Sequence, residues 1–581
     1  MNVAEFILGA IQNLGTDTAF CLTGGMAMHI NRAADESDLR MIYCNHEQAA
    51  AAAADGYARA KEFQVPGLAI VTSGPGVTNT ITSVASAFYD SIPEFILAGQ
   101  VKLTDINLYG VRSYGAQETP HLQLMEPITK AAFRYIPSEI NDDILAEKLA
   151  LAITGRKGPV FIEIPLDIQA QVIENGAERL TRINDMITKK VLDDKVASST
   201  AISQIISGIA AASKPVLLIG NGLRIAGITR GEIKKLVEKL GIPTLFTWAS
   251  FDFLSHDHEL NFGCAGGLAP THANKILQAA DFVLFLGARL DLLTTAFNPN
   301  NYGKSAKRLV VELDAREIQK NLAMQNTTFI NENVAGIFDG LLRADIKPQS
   351  AQDWLSNAKR LKLSDEKNEQ LAFGDKGLTT YKIAQVLSSN PSADYIVPTA
   401  SGYAIEGIAR FFKPNGRSTF AWGGHVLGSM GLGLPSAIGA VAALNRPVIC
   451  LEGDGGLLLN IQEIFTLAAN PDLPLSIIVL NNGGYQSIIK SQNRAFNKEF
   501  GASSSSGLYA VPFNLIGELA GLTYLKCSTL AEFQAVMKKG LHRCLLELLV
   551  EEDGYRGPAV QTKFDKNGKP YSTDIEDISW Q

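Results

Sequence analysis

Pro447-Val448-Ile449-Cys450-Leu451 running into Gly453-Asp454-Gly455-Gly456, and Ser476-Ile477-Ile478-Val479-Leu480 running into Asn481-Asn482-Gly483-Gly484, decide how this chain folds. Neither apolar run alternates with polar residues, so both read as parallel strands buried on both faces. One helix-length segment separates them. Ligands of open α/β sheets bind beyond the carboxyl ends of such strands. A carboxylate (Asp454) and an amide oxygen (Asn482), set among glycines that let backbone approach, make a hard-oxygen site suited to Mg²⁺ carrying a diphosphate. A lone Gly-Asp-Gly-Gly is an ordinary turn; the paired arrangement is far more specific.

The rest of the chain suits such a sheet. Its 581 residues are 46% apolar and 19% charged with 51 glycines, the profile of a soluble globular α/β protein of about three or four domains. A net charge of −7 without a basic cluster argues against nucleic acid, and no apolar run is long enough for a membrane span. The start lacks the basic leader and small-residue cleavage site of a signal peptide. Val3, Phe6, Ile7, Ala10, Ile11 and Leu14 follow helical spacing instead. Cysteines 21, 44, 264, 450, 527 and 544 form no Cys-x-x-Cys pair, so buried free thiols and a cytoplasmic address are expected.

The expected fold is α/β, with three doubly wound parallel-sheet domains at 1–173, 195–345 and 371–550 and a tail at 551–581. The first region holds an N-terminal helix, strand Ala19–Leu22, a helix from Glu47, and strands Pro66–Val71 and Val160–Ile164. The second holds strands Pro215–Ile219, Phe282–Leu286 and Leu309–Leu313. Polar, charged stretches from Glu174 to Thr200 and from Lys347 to Gln370 read as linkers. The tail carries the turn signal Asp565-Lys566-Asn567-Gly568. Tyr571 and Trp580 are out of place in a solvated end, which favours a strap over an active-site mouth.

In the first region, Cys44-Asn45-His46-Glu47-Gln48 precedes six alanines and Asp55-Gly56-Tyr57-Ala58-Arg59. Alone, Glu47 is a carboxylate favoured by the dipole of a first helical turn. Val71-Thr72-Ser73-Gly74-Pro75-Gly76-Val77-Thr78-Asn79 is a Gly-rich turn into a helix, able to cradle an anion or merely to reverse the chain. Together these residues resemble the acetolactate-synthase-like family of thiamine-diphosphate enzymes, which includes large bacterial acetohydroxyacid synthase subunits. Essentially the whole chain takes part: Gly24-Gly25, Asp90-Ser91-Ile92-Pro93, Gly99-Gln100-Val101, Gln117-Glu118-Thr119, Thr129-Lys130, Gly158-Pro159-Val160, Gly428-Ser429-Met430-Gly431, Leu434-Pro435 and both motifs above also match.

The resemblance implies thiamine diphosphate and Mg²⁺ as cofactors. That chemistry needs a carbanion at C2 of the thiazolium ring, formed with the ring's own aminopyrimidine as base. Glu47 matches the family glutamate that hydrogen-bonds the pyrimidine nitrogen and favours the imino tautomer. Met430, which without the motif would read as a core methionine, matches the residue beneath the cofactor's bend, with the Gly428 carbonyl nearby. Asp454, Asn482 and the Gly484 carbonyl would hold Mg²⁺. Gly25, Pro75, Asn79, Gly453, Gly455 and Gly456 complete the cofactor contacts. Relatives meet the diphosphate with Gly-Gln-His where this chain has Ser401-Gly402-Tyr403-Ala404, so binding there rests on backbone amides with Ser401 or Tyr403. The family arrangement places Glu47 and Asp454 in different subunits of a homodimer or homotetramer.

Departures bear on the substrate. Decarboxylase relatives carry His-His and a glutamate six residues after the metal-binding asparagine; here there is no His-His, and that position is Ile488. Ligation is favoured over release of an aldehyde. Ala116 stands before Gln117 where synthases have Phe, and Ser487 and Ser491 replace bulky Met and Trp. These changes suggest a wider, more polar mouth and a bulkier, hydroxylated acceptor or substrate, such as a keto sugar or cyclic polyol ketone, with pyruvate the donor that the resemblance implies. The alternatives are a lyase or hydrolase acting on a cyclic diketone or hydroxyketone, a true acetolactate synthase, and a non-catalytic paralogue; intact Glu47, Asp454 and Asn482 argue against the last. Gln117 is the expected polar contact to substrate. His29 reads equally as an acid–base group or sugar-hydroxyl contact and as a surface-loop histidine, and His121 and His425 carry the same ambiguity. In the middle region Gly220-Asn221-Gly222, Gly287-Ala288-Arg289 and Glu312 are compatible with FAD. Leu293 in place of a family arginine, and Trp248 at a usually aliphatic position, leave FAD uncommitted.

Overall fold

The computed structural model describes residues 1–194, 198–346, 352–373, 377–390, 394–399, 401–424, 426–551 and 558–578, and position 403 by its backbone alone. Three domains each contain a six-stranded sheet in which the neighbours are parallel. The first sheet comprises β1 (Thr18–Cys21), β2 (Arg40–Tyr43), β3 (Gly67–Val71), β4 (Glu94–Gln100), β5 (Ala131–Arg134) and β6 (Pro159–Pro165), in the order β2-β1-β3-β4-β6-β5. The central sheet comprises β7 (Pro215–Ile219), β8 (Thr244–Phe246), β9 (Asn261–Cys264), β10 (Phe282–Leu286), β11 (Lys307–Val311) and β12 (Thr327–Ile330), in the order β12-β11-β10-β7-β8-β9. The third comprises β13 (Tyr395–Pro398), β14 (Thr419–Phe420), β15 (Val448–Gly453), β16 (Leu475–Asn481), β17 (Thr523–Cys527) and β18 (Cys544–Leu549), in the order β14-β13-β15-β16-β18-β17.

The first and third sheets thus share one winding, and the central sheet has the doubly wound dinucleotide order. In each, chain direction switches beside the sheet's first strand, between β1 and β3, β7 and β10, and β13 and β15. A crevice opens there at the carboxyl ends.

Each of the two stretches read as linkers contains a long helix among its described residues. Gly176–Asp193 buries Ile183 and Ile187 in the first domain's core, and Arg179 and Arg182 hold the buried Asp142. Its apolar stripe is one residue wide per turn, which is why a charged composition hid it. Gln352–Phe373 buries Trp354, Ala358, Asp365, Glu369 and Phe373 on one face, and Trp354 Nε1 donates to Pro215 O at 3.1 Å. Two acids occupy core-facing positions of this helix. Asp365 is satisfied there by the Thr271 hydroxyl and by His272 Nδ1 at 2.8 Å, contacts no linear pattern announces. The strand expected at Leu309–Leu313 is β11, two residues earlier, which frees Glu312 to stand at its carboxyl end.

The first and third domains share a core. The helix Glu47–Ala60 forms because its alanine run has the highest helix propensity, and His46 Nδ1 caps it by accepting Gln48 N–H at 3.1 Å. Its small side chains let it press against Gly433–Leu444 of the third domain, where Ser436 Oγ donates to Ala52 O at 3.2 Å. The tail forms a hairpin, β19 (Thr562–Phe564) and β20 (Pro570–Ser572), around the expected turn. It then docks on the central domain through buried Ile575 and Ile578, with Val560 N–H donating to Gly267 O at 2.9 Å. Tyr571 stays exposed, and Trp580 lies outside the described residues.

Glu94 opens β4 at the end of the sheet away from the crevices. It is fully buried, and neither carboxyl oxygen has a hydrogen-bond partner among the described residues. Burial, aided by Asp55, pushes its carboxyl well above the usual range despite Arg59 nearby. The fold therefore favours the protonated form, and this contribution to stability is full in acid and lost as pH rises through the raised value. Glu94→Gln, neutral at every pH, should match wild type in acid, below the ordinary carboxyl range, and exceed it in stability at pH 8. Urea titrations at the two pH values measure the difference.

Candidate active site

Gly453 of β15 pairs with Leu480 of β16, so Asp454 and Asn481-Asn482 leave the sheet side by side. The Asp454 carboxylate accepts N–H groups from Gly455 at 2.9 Å, Gly483 at 3.0 Å and Gly484 at 2.7 Å. Burial pushes it up to about 6, partly offset by those amides. The Gly484 carbonyl accepts Gln486 N–H at 2.9 Å and keeps a second lone pair. Gly484 has φ +123°, and a Cβ there would lie 2.3 Å from Ala502 O, so only glycine fits. Behind the motif, fully buried Glu452 is pushed up to about 8 by burial and accepts Leu434 N–H at 3.2 Å. Charge at that strand position was not anticipated from the sequence.

Across the same crevice, Ser401 and Gly402 follow β13. Ser401 Oγ is buried with no partner among the described residues, and a Cβ on Gly402, Gly428, Gly453 or Gly483 would meet nothing within 4 Å. A buried hydroxyl without a partner among the described residues, and glycines whose Cβ positions stand open, fit a diphosphate, and an all-oxygen donor set with one carboxylate fits Mg²⁺. The side chain of Tyr403 lies outside the described residues. Met430 is 38% exposed in a loop held by Val426 N–H to Asp90 Oδ1 at 3.0 Å, so it is no core methionine. His425 lies outside the described residues.

In the first domain, Gly25 and the Gly74-Pro75 turn flank the switch point between β1 and β3. Glu47 is 8% exposed in the first turn of its helix, and Asn79 Nδ2 donates to its Oε2 at 3.0 Å. Ala116 and Gln117 are exposed on the loop before His121; Gln117 has φ +62° and packs its backbone on Gly74. His121 is fully buried: its Nε2 accepts Gly74 N–H at 3.0 Å and its Nδ1 meets Glu163 Oε2 at 2.9 Å. It is therefore no surface-loop histidine: its imidazole pins the Gly74 turn. His29 is half-buried in the first turn of the helix Met28–Asp35. Ser487 and Ser491 lie one turn apart on the helix Gln486–Phe496, with Ser491 Oγ donating to Ser487 O at 2.9 Å, and Ile488 is 49% exposed. Among the described residues of the single chain, the Asp454 set and Glu47 share no hydrogen bond.

A second crevice, a cavity of about 800 Å³, opens at the β7/β10 switch point of the central sheet. Asn221, Gly222, Trp248, Gly287, Arg289, Leu293 and Glu312 line it. Arg59, Asp90 and Arg156 of the first domain close its far wall, which the sequence did not foretell because they come from another domain. Burial raises the Glu312 carboxyl, which accepts Asp314 N–H at 2.9 Å. The described cysteines are free, five buried and Cys264 half-buried, and no helix among the described residues is long and apolar enough to cross a membrane.

Comparison with known proteins bears on this geometry. Family models described as thiamine pyrophosphate enzyme match in three parts: the N-terminal TPP binding domain over residues 1–125, the central domain over 202–332, and the C-terminal TPP binding domain over 401–548. The chain is 30% identical to a probable acetolactate synthase large subunit of Methanococcus aeolicus, over 93% of this chain and 90% of that protein. It is 31% identical to the acetolactate synthase isozyme 2 large subunit of Escherichia coli (strain K12), with 83% of each covered. Against chloroplastic acetolactate synthase 1 of Nicotiana tabacum it is 30% identical, over 85% of this chain and 72% of that one.

Proposed function

Because the chain belongs to the thiamine pyrophosphate enzymes as an acetolactate-synthase-like member, we propose that it is a carboligase that decarboxylates a 2-oxo acid, pyruvate, and adds the acyl unit to a bulky, hydroxylated carbonyl acceptor of the keto-sugar kind. Thiamine diphosphate supplies, when bound, the electron sink that the side chains lack. In this reading Asp454, Asn482 and the Gly484 carbonyl hold Mg²⁺. Ser401, the amides after Gly402, and Gly453, Gly455 and Gly456 take the diphosphate; Gly25, Pro75 and Asn79 line the ring side. Glu47 holds the proton shared with the pyrimidine nitrogen, Gly428 and Met430 support the ring, and Gln117 orients the substrate. Glu47 serves a site completed by Asp454 of a second copy, in a homodimer or homotetramer. The exposed apolar residues Leu108, Tyr109 and Tyr114 on the Gln117 loop support that pairing.

The observation that carries the acceptor reading is the trio Ala116, Ser487 and Ser491, small or hydroxylated side chains on exposed or half-buried faces of loop and helix. The names of the relatives favour a second reading, condensation of two 2-oxo acids as in an acetolactate synthase. Calorimetry with thiamine diphosphate and Mg²⁺ should give a saturable isotherm for the native protein and none for Asp454→Ala; no binding by the native protein overturns both readings. With pyruvate as donor, CO₂ release and product formation are then followed across carbonyl acceptors. Consumption of hydroxylated ketones supports the proposal; efficient acetolactate formation with no larger acceptor used overturns it. Flavin absorbance in the purified protein is the readout for FAD in the central cavity.

A further inference from the structure

Glu463 begins the helix Glu463–Ala469 of the third domain, yet it reaches into the first domain at the start of the Glu47 helix. It is fully buried. Its two oxygens accept Asn45 N–H at 3.1 and 3.3 Å, the His46 amide also donates to it, and Thr466 Oγ donates at 2.7 Å. Asn45 Nδ2 closes the cluster, donating to Thr466 Oγ at 2.9 Å and to Gln462 O at 3.3 Å. Burial raises the Glu463 carboxyl above the usual range, and the Thr466 hydroxyl and the Asn45 and His46 amides, all donors, pull it back toward the ionised form. The titratable neighbours on the facing segment are the buried Cys44 thiol, pushed up by burial and by Glu463 itself, and the His46 imidazole, whose Nδ1 already accepts Gln48 N–H.

His46 and Glu47 are the N-cap and first residue of the helix. A helix start carries roughly half a positive charge and favours an ionised carboxylate there. The task assigned to Glu47 requires the opposite: it must keep a proton to share with a ring nitrogen. A buried negative charge fixed at the same helix start cancels that bias, because a nearby like charge raises a carboxyl's affinity for its proton.

We propose, resting on the thiamine-diphosphate reading, that Glu463 is a positioning residue for Glu47: it anchors Asn45 and His46 across the domain boundary, and its charge keeps the shared proton in place.

The test is hydrogen–deuterium exchange at C2 of the bound cofactor, quenched and read by proton NMR, alongside calorimetric affinity. Glu463→Gln should slow exchange about tenfold, in proportion to a tenfold loss of proton affinity at Glu47, with cofactor affinity held within about threefold. Thr466→Val removes a hydrogen bond but no charge, and Glu463→Asp keeps the charge on a shorter arm; each should slow exchange by no more than about threefold. Wild-type exchange in Glu463→Gln overturns the proposal. So does slowing of Thr466→Val or Glu463→Asp by tenfold or more, whether or not Glu463→Gln folds, since the role is then packing alone. Absence of cofactor binding by the wild-type protein would instead strike the functional reading.

Discussion

Glu47→Gln is expected to lower ligation turnover by about 10²–10⁴-fold, the range of a lost acid–base group, while thiamine diphosphate still binds within about threefold. The substitution is nearly isosteric. Its amide oxygen can accept from Asn79 Nδ2 as the carboxylate does at 3.0 Å. What disappears is the capacity to exchange a proton with a ring nitrogen, and an amide cannot replace it. Steady-state turnover, calorimetry and C2 exchange on one preparation separate the effects. Retained turnover would remove Glu47 from the chemistry; lost binding would make it a structural residue.

Gly439→Ala is expected to destabilise the protein by about 4 kcal/mol or more, the exceptional range of single substitutions. Adding a methyl inside a helix ordinarily gains about 0.5–1 kcal/mol. Here a Cβ on Gly439 would lie 1.8 Å from Ala53 O, and one on Gly56, across the same crossing, 1.9 Å from Ser436 O. Both obstacles are backbone, so the helices Glu47–Ala60 and Gly433–Leu444 must separate and open the core they share. Gly231 in the helix Arg230–Leu240, whose nearest neighbour is Thr229 Oγ1 at 4.0 Å, is the control: Gly231→Ala should stabilise slightly. Thermal melts of the two variants should move in opposite directions, and a neutral Gly439→Ala would mean the crossing is looser than described.

The strands were legible because burial on both faces demands unbroken apolar runs, as in β7, β10, β15 and β16. That Asp454 and the Asn482-Gly483-Gly484 turn stand together was legible because they follow successive strands. Glu463 was not: a buried acid on a short helix leaves no periodic trace, and its partners Asn45 and His46 lie more than four hundred positions away. The helices hidden in the two supposed linkers failed for a related reason. Their core-facing sides are narrow, or carry Asp365 and Glu369, whose burial makes sense only beside His272 and Arg410.

Local chemistry along the chain thus determined the element types, the sheet class and the identity of the cofactor-binding motifs, because strand burial and glycine-lined turns are properties of neighbouring residues. Which ends meet was decided only in three dimensions. The shared winding of the outer sheets, the pressing of an alanine helix onto glycines of another domain, and the seating of Glu463 against the Asn45 and His46 amides depend on backbones approaching closely across long sequence separations.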